Sequence, residues 1–157
     1  MLSALLLALS LHEVWAGGFP RGPNLELTPG RICSRSNSNK TRYPERIAYC
    51  DRNVNYDTKE NIIDMYDQKL GYSIGNMDRQ EFKIDHLIPL CAGGSNDMVN
   101  LWPQHKSVYT ITDPLEPIVC RKMGEGKLLQ KDAVALILEA KTHLDRVRGI
   151  IEFVSAL

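Results

Sequence analysis

The chain has no excess of charge of either sign: 19 Lys and Arg residues balance 19 Asp and Glu residues over 157 positions. A global basic field is therefore excluded as a means of attracting a polyanion, and any anion binding has to come from a local cluster. The four cysteines, Cys33, Cys50, Cys91 and Cys120, include no CxxC pair, so zinc-ribbon spacing is absent. No apolar run reaches the length of a stable membrane anchor. A hydrophobic fraction of 43% and a charged fraction of 24% also exclude a disordered chain. The length suits a single domain.

What is present begins with a short apolar segment, Leu2 to Leu11, followed by Val14-Trp15-Ala16 and Gly17-Gly18. A small residue closing such a segment reads as a secretory signal over residues 1–16, cleaved after Ala16. No Lys or Arg precedes the segment, which departs from the usual signal pattern, and a buried N-terminal helix is the alternative. An even number of cysteines fits export to the periplasm or the medium, where two disulfides are expected. Pairing Cys33 with Cys50 and Cys91 with Cys120 would close two loops, but three connectivities are open from the sequence.

Residues 17–45 are rich in Gly, Pro, Ser, Asn and Arg without apolar periodicity, and read as an N-terminal arm. Residues 46–157 read as one domain. Arg46 to Cys50 suits a short strand. Asp57 and Glu60 have capping-box spacing, with Ile62, Ile63, Tyr66 and Leu70 on one face and Gly71 as a stop, so a helix is expected over 57–70. Phe82 and Ile84 alternate with Lys83 and Asp85 in a strand that Pro89 ends. A Gly93-Gly94-Ser95-Asn96-Asp97 turn leads to a second short strand at Asn100-Leu101-Trp102, which Pro103 is expected to close. Asp113-Pro114 reads as an N-cap and first helical residue of a helix to about Met123. A single long C-terminal helix is expected from Lys127, with an apolar face running from Leu128 to Ile151.

The ordered set Asp85-His86-Leu87-Ile88-Pro89-Leu90, Gly93-Gly94-Ser95-Asn96 and Asn100-Leu101-Trp102-Pro103-Gln104 resembles the HNH (ββα-metal) nuclease superfamily. The likeness is to a branch found in exported bacterial proteins with a GGSN…NLWPQ motif. It covers residues 85–104 closely and the flanks loosely. The resemblance implies an α+β fold: a ββα-metal core with a short antiparallel hairpin, surrounding helices and a long C-terminal helix. The activity it implies is metal-dependent endonuclease cleavage of DNA or RNA phosphodiesters. No readout module such as a helix-turn-helix is apparent, so little sequence preference is expected.

The chemistry accounts for the residue types. A neutral imidazole is well poised to take a proton from water near neutral pH, which makes His86 the candidate general base. A divalent cation neutralises the phosphoryl charge, and Asp85 is a hard oxygen ligand for it. Adjacent strand residues point to opposite faces, so Asp85 and His86 share a site only where the strand ends. The resemblance assigns to Asn100 the task of orienting the histidine. It also implies a further ligand on the helix after the second strand, where this chain has Tyr109 in place of the common His. His105 and Asp113 are equal replacements, with Glu116 behind them. One ion is expected, Mg2+ first, with Mn2+ and Zn2+ as alternatives. Phosphate contacts are assigned to Lys106, Arg121 and Lys122, with Lys83 beside them. Trp102 could stack on a base, although a core position beside Leu101 is the better reading. Two rival functions remain: a non-catalytic nucleic-acid-binding module on the same scaffold, and an exported, disulfide-stapled interaction domain.

Overall fold

A computed structural model describes residues 18–157, so the segment read as a signal lies outside the described residues. The chain is a mixed α+β protein with two small antiparallel hairpins. The first hairpin pairs β1 (Thr41–Arg42) with β2 (Ile47–Ala48). The expected division at residues 45 and 46 falls inside this hairpin. Residues 18–40 are largely irregular but pinned to the domain. Buried Thr28 donates to Leu101 O and shares a hydrogen bond with the Tyr66 hydroxyl, and an isolated bridge joins Ile32 to Gly94.

Helix α1 spans Tyr56–Leu70. Its cap is Asn55, whose side chain accepts from Thr58 N, in place of the expected Asp57 and Glu60 box. Asn55 has an extended backbone, which the N-cap geometry requires and which Asp57, inside the first turn, lacks. Gly71 ends the helix in the left-handed region (φ 73°) and donates to Asp67 O, as its position in the sequence suggests. Ile62, Ile63 and Tyr66 face inward onto the second hairpin. Each fully buried aliphatic side chain of this kind contributes roughly 1.5–3 kcal/mol.

That hairpin pairs β3 (Phe82–His86) with β4 (Leu101–His105), His86 opposite Leu101 and Phe82 opposite His105. Pro103 lies within β4 and does not close it. Leu87 N donates to Asn100 O just beyond the ladder. Counting the alternation from that bond puts Pro103 at a non-hydrogen-bonded pair, where a missing N–H takes nothing from β3. The loop between the strands closes tightly. Gly93 is left-handed (φ 84°), and a Cβ on Gly94 would stand 1.7 Å from Ile88 O.

The chain then runs directly into α2 (Lys106–Thr112) and α3 (Leu115–Gly124). Asp113 does not cap α3. It ends α2 in helical geometry, and Pro114 precedes α3 without a side-chain cap. The expected long C-terminal helix is two helices, α4 (Gln130–Thr142) and α5 (Val147–Ala156). The break follows Thr142, whose hydroxyl bonds to Leu138 O and to the ring of His143, whose own backbone leaves helical geometry (φ −133°, ψ 83°). Folding at this point lets Ile137 and Ala140 of α4 and Ile150 and Val154 of α5 enter one cluster with Val119 of α3.

Two apolar clusters result. One joins α3, α4 and α5; the other joins α1 to the β3–β4 hairpin. Disulfides Cys33–Cys50 and Cys91–Cys120 are both formed. No described helix is long and apolar enough to cross a membrane.

Candidate active site

Asp85 and His86 are the last two residues of β3, and both line one pocket of about 330 Å³. Arg52, Pro89, Glu116 and the Cys91–Cys120 pair complete much of its wall. The end of the strand resolves the alternation problem. Asp85 turns toward α3 and α4, where its partners lie, while His86 turns toward the glycine loop.

Asp85 is almost fully buried, and Lys141 of α4 explains how a carboxylate survives there. The Lys141 ammonium donates to Asp85 Oδ2 at 2.8 Å, Glu116 Oε1 at 2.8 Å and His86 O at 2.7 Å. Three acceptors satisfy all three of its protons. Lys83 adds a second cation, 3.5 Å from Asp85 Oδ1 and 2.7 Å from both oxygens of Asp113. Burial by itself would raise the Asp85 pKa. The ammonium groups of Lys141 and Lys83 outweigh it and hold the carboxyl below its ordinary range. Glu116 goes the other way: burial and the Asp85 charge raise its pKa despite Lys141. Burial would strip the proton from Lys141, but Asp85 and Glu116 reverse that and raise its pKa.

Ligand atoms of Asp85, Asp113 and Glu116 lie within 4.8 Å of one another. This set contains Asp85 and Asp113 of the expected ligands and promotes Glu116, which ranked behind them. His105 is not in it. Its ring stacks on Phe19 with centroids 3.8 Å apart, Nδ1 bonds the Ser107 hydroxyl, and Nε2 faces Glu81. The cause is register: His105 pairs with Phe82, at the opposite end of the ladder from His86. Tyr109 lies under the Lys83 ammonium, 4.9 Å from its ring centroid.

Asn100 is buried and does not hydrogen-bond the imidazole. Its amide accepts from Ile88 N at 2.9 Å and donates to Ile88 O and Ser95 O, tying the two sides of the glycine loop together. The His86 ring instead meets Asn96, with Nε2 3.1 Å from Asn96 Oδ1. Burial lowers the His86 pKa below its ordinary value, and nearby Arg52 adds to that; Asn96 opposes it. The imidazole is therefore neutral at neutral pH and able to accept a proton.

The basic residues assigned to phosphate lie elsewhere. Lys106 pairs with Glu81, and Arg121 and Lys122 both approach Glu125. None of the three lines the pocket. The cation that does is Arg52, which donates to Ile84 O at 3.3 Å. Trp102 is wholly buried and belongs to the core.

Sequence reasoning passed over Lys141, Arg52 and Asn96. Lys141 carried one available signal, a lysine in register with the buried positions Ala133, Ile137 and Ala140 of its helix. Arg52, in an irregular segment, carried none. Asn96 stood inside the recognised turn but was read only as turn chemistry. The chain matches no protein-family model, no curated protein and no solved structure.

Proposed function

We propose that the chain is an exported, metal-dependent endonuclease of the HNH type, built on a ββα-metal core formed by β3, β4 and the helices that follow. The observation that carries this reading is the convergence of the His86 imidazole, the Asp85 and Glu116 carboxylates and the Arg52 guanidinium on one pocket, with Asp113 completing a carboxylate trio within 4.8 Å. The two disulfides fit an oxidising compartment. Nucleic acid is the proposed substrate, with DNA and RNA both consistent with the site.

The donor set suits a hard divalent cation such as Mg2+. All three side chains offer oxygen, and two ammonium groups already stand against them as stand-in cations. Asp85, Asp113 and Glu116 would hold the ion. Lys83, the more exposed of the two lysines, is the one able to give way, whereas Lys141 is enclosed. When bound, the ion would supply charge neutralisation at the phosphoryl group.

The chain's own residues do the rest. His86 accepts the proton of the attacking water. Arg52 faces the phosphate as a fixed donor fork, held by Ile84 O. Lys141 keeps Asp85 ionised and, through His86 O, fixes the backbone that carries the imidazole. Asn100 holds the loop shut behind it.

The test is plasmid and RNA cleavage by the disulfide-bonded protein in Mg2+, Mn2+ or Zn2+, with His86→Ala as the control. Cleavage by the parent and its loss in the variant, at an unchanged melting temperature, is the expected result. A variant as active as the parent would remove His86 as the base. A parent that neither cleaves nor takes up metal by calorimetry would favour the interaction-domain alternative.

A further inference from the structure

We propose that Asn96 is the positioning residue that fixes the tautomer of His86, leaving Nδ1 as its proton-accepting atom. The catalytic meaning of this assignment rests on the nuclease reading, but the tautomer itself does not.

An Asn side chain can be turned over without changing its shape, so its orientation has to come from its partners. Here both ends are set by main-chain groups, which have only one polarity. Asn53 N–H donates to one amide atom at 3.1 Å, which must therefore be the oxygen. Asp51 O accepts from the other at 2.8 Å, which must be the nitrogen. The oxygen so assigned, Oδ1, is the atom facing His86 Nε2 at 3.1 Å.

An amide oxygen only accepts, so Nε2 has to carry the proton. A neutral imidazole has a single N–H, and its lone pair then falls on Nδ1. That atom has no hydrogen-bond partner among the described residues. Nor is it one of the sealed, unpartnered side-chain atoms among the described residues, which are Trp102 Nε1 and Gln104 Oε1. The lone pair is free on a residue that lines the pocket.

The segment that sets the amide is itself tied down. Cys50, just before Asp51, is bonded to Cys33; Asp51 pairs with Lys40; and Arg52 holds Ile84 O. Asn96 thus passes the polarity of a fixed backbone segment to the ring. Asn100, assigned the orienting role by resemblance, bonds main-chain groups of Arg31, Ile88 and Ser95 and not the ring.

The test reads the ring directly. Long-range proton–nitrogen correlation NMR on the 15N-labelled, metal-free protein distinguishes the two tautomers, with His86→Gln identifying the His86 signals. The parent should show a protonated Nε2 and an unprotonated Nδ1. Asn96→Ala should give a tautomer mixture, whereas Asn96→Asp, which keeps an acceptor oxygen, should retain the parent pattern. In the cleavage assay Asn96→Ala should lower kcat roughly ten- to a hundredfold with KM unchanged, with substantial recovery in Asn96→Asp.

A parent ring protonated on Nδ1, or an Asn96→Ala ring identical to the parent's, would overturn the proposal. Melting temperatures guard against misfolding, because Asn96→Asp keeps the oxygen that meets Nε2 but loses the donor to Asp51 O. If the tautomer behaves as stated but no nucleic acid is cleaved, the nuclease reading fails and the assignment of Asn96 stands.

Discussion

Lys141 and Asp85 meet at 2.8 Å with side-chain exposures of only 2% and 11%. A buried ion pair of this kind is not a simple source of stability, because desolvation offsets much of the attraction. Its effect is to hold an anion where water cannot. The same ammonium reaches Glu116 and the carbonyl of His86, so one side chain on α4 organises β3, α3 and the strand end together.

Removing that ammonium strands two carboxylates. Lys141→Met should therefore lower the unfolding free energy by about 3–5 kcal/mol, as expected when one partner of a buried pair is lost. Urea denaturation with the disulfides intact measures this. A loss under about 1 kcal/mol would mean that Asp85 is protonated or hydrated in the folded protein. Adding Asp85→Asn and Glu116→Gln to the variant should recover much of the loss, because no unpaired charge then remains.

Lys83 occupies the more open side of the carboxylate trio, against Asp85 and Asp113. Lys83→Met should tighten Mn2+ binding in calorimetric titration, because an ion no longer competes with an ammonium. Weaker binding in the variant would mean that the lysine assists the ion, and that the trio is not where it sits. Asp113→Asn should weaken binding in either background.

The pH dependence follows from His86. Its folded pKa lies below the ordinary value of 6.5, because burial disfavours the imidazolium. Cleavage should therefore rise with pH along a limb centred below 6.5 and stay level through neutrality. Stability moves in the same sense. Below 6.5 the unfolded chain takes up a proton that the folded chain still refuses, so this residue favours unfolding as the pH falls. Asp85 adds to the trend at lower pH, since a carboxyl with a depressed folded pKa contributes stability that is lost on acidification. An activity limb centred above 6.5 would show that Asp85 and Asn96 outweigh burial of the ring, or that His86 is not the group that titrates.

Local sequence information carried the elements whose signals are themselves local. The stop at Gly71 and the turn at Gly93-Gly94 need only a backbone angle or a close approach, and both were legible. The inward face of α1 followed from helical spacing, and the alternation in β3 from strand spacing. The C-terminal helix was misread because its apolar positions continue through residue 143 without a Gly or Pro. The break is decided by whether α5 can fold back onto α3. The place of His105 was likewise a matter of hairpin register, which sets which end of the ladder a side chain occupies.

By itself the sequence determined that Asp85 and His86 stand together beside a tight glycine reversal, because adjacency and turn chemistry are properties of neighbouring residues. Only the tertiary structure decided what surrounds them. Lys141 lies 56 residues from Asp85 and Arg52 lies 32 residues from Ile84. The disulfide partners were chosen by chain proximity after folding, from three pairings that the spacing left open. Charge neutralisation depends on distance in space, and no local pattern records which distant ammonium will close on a given carboxylate.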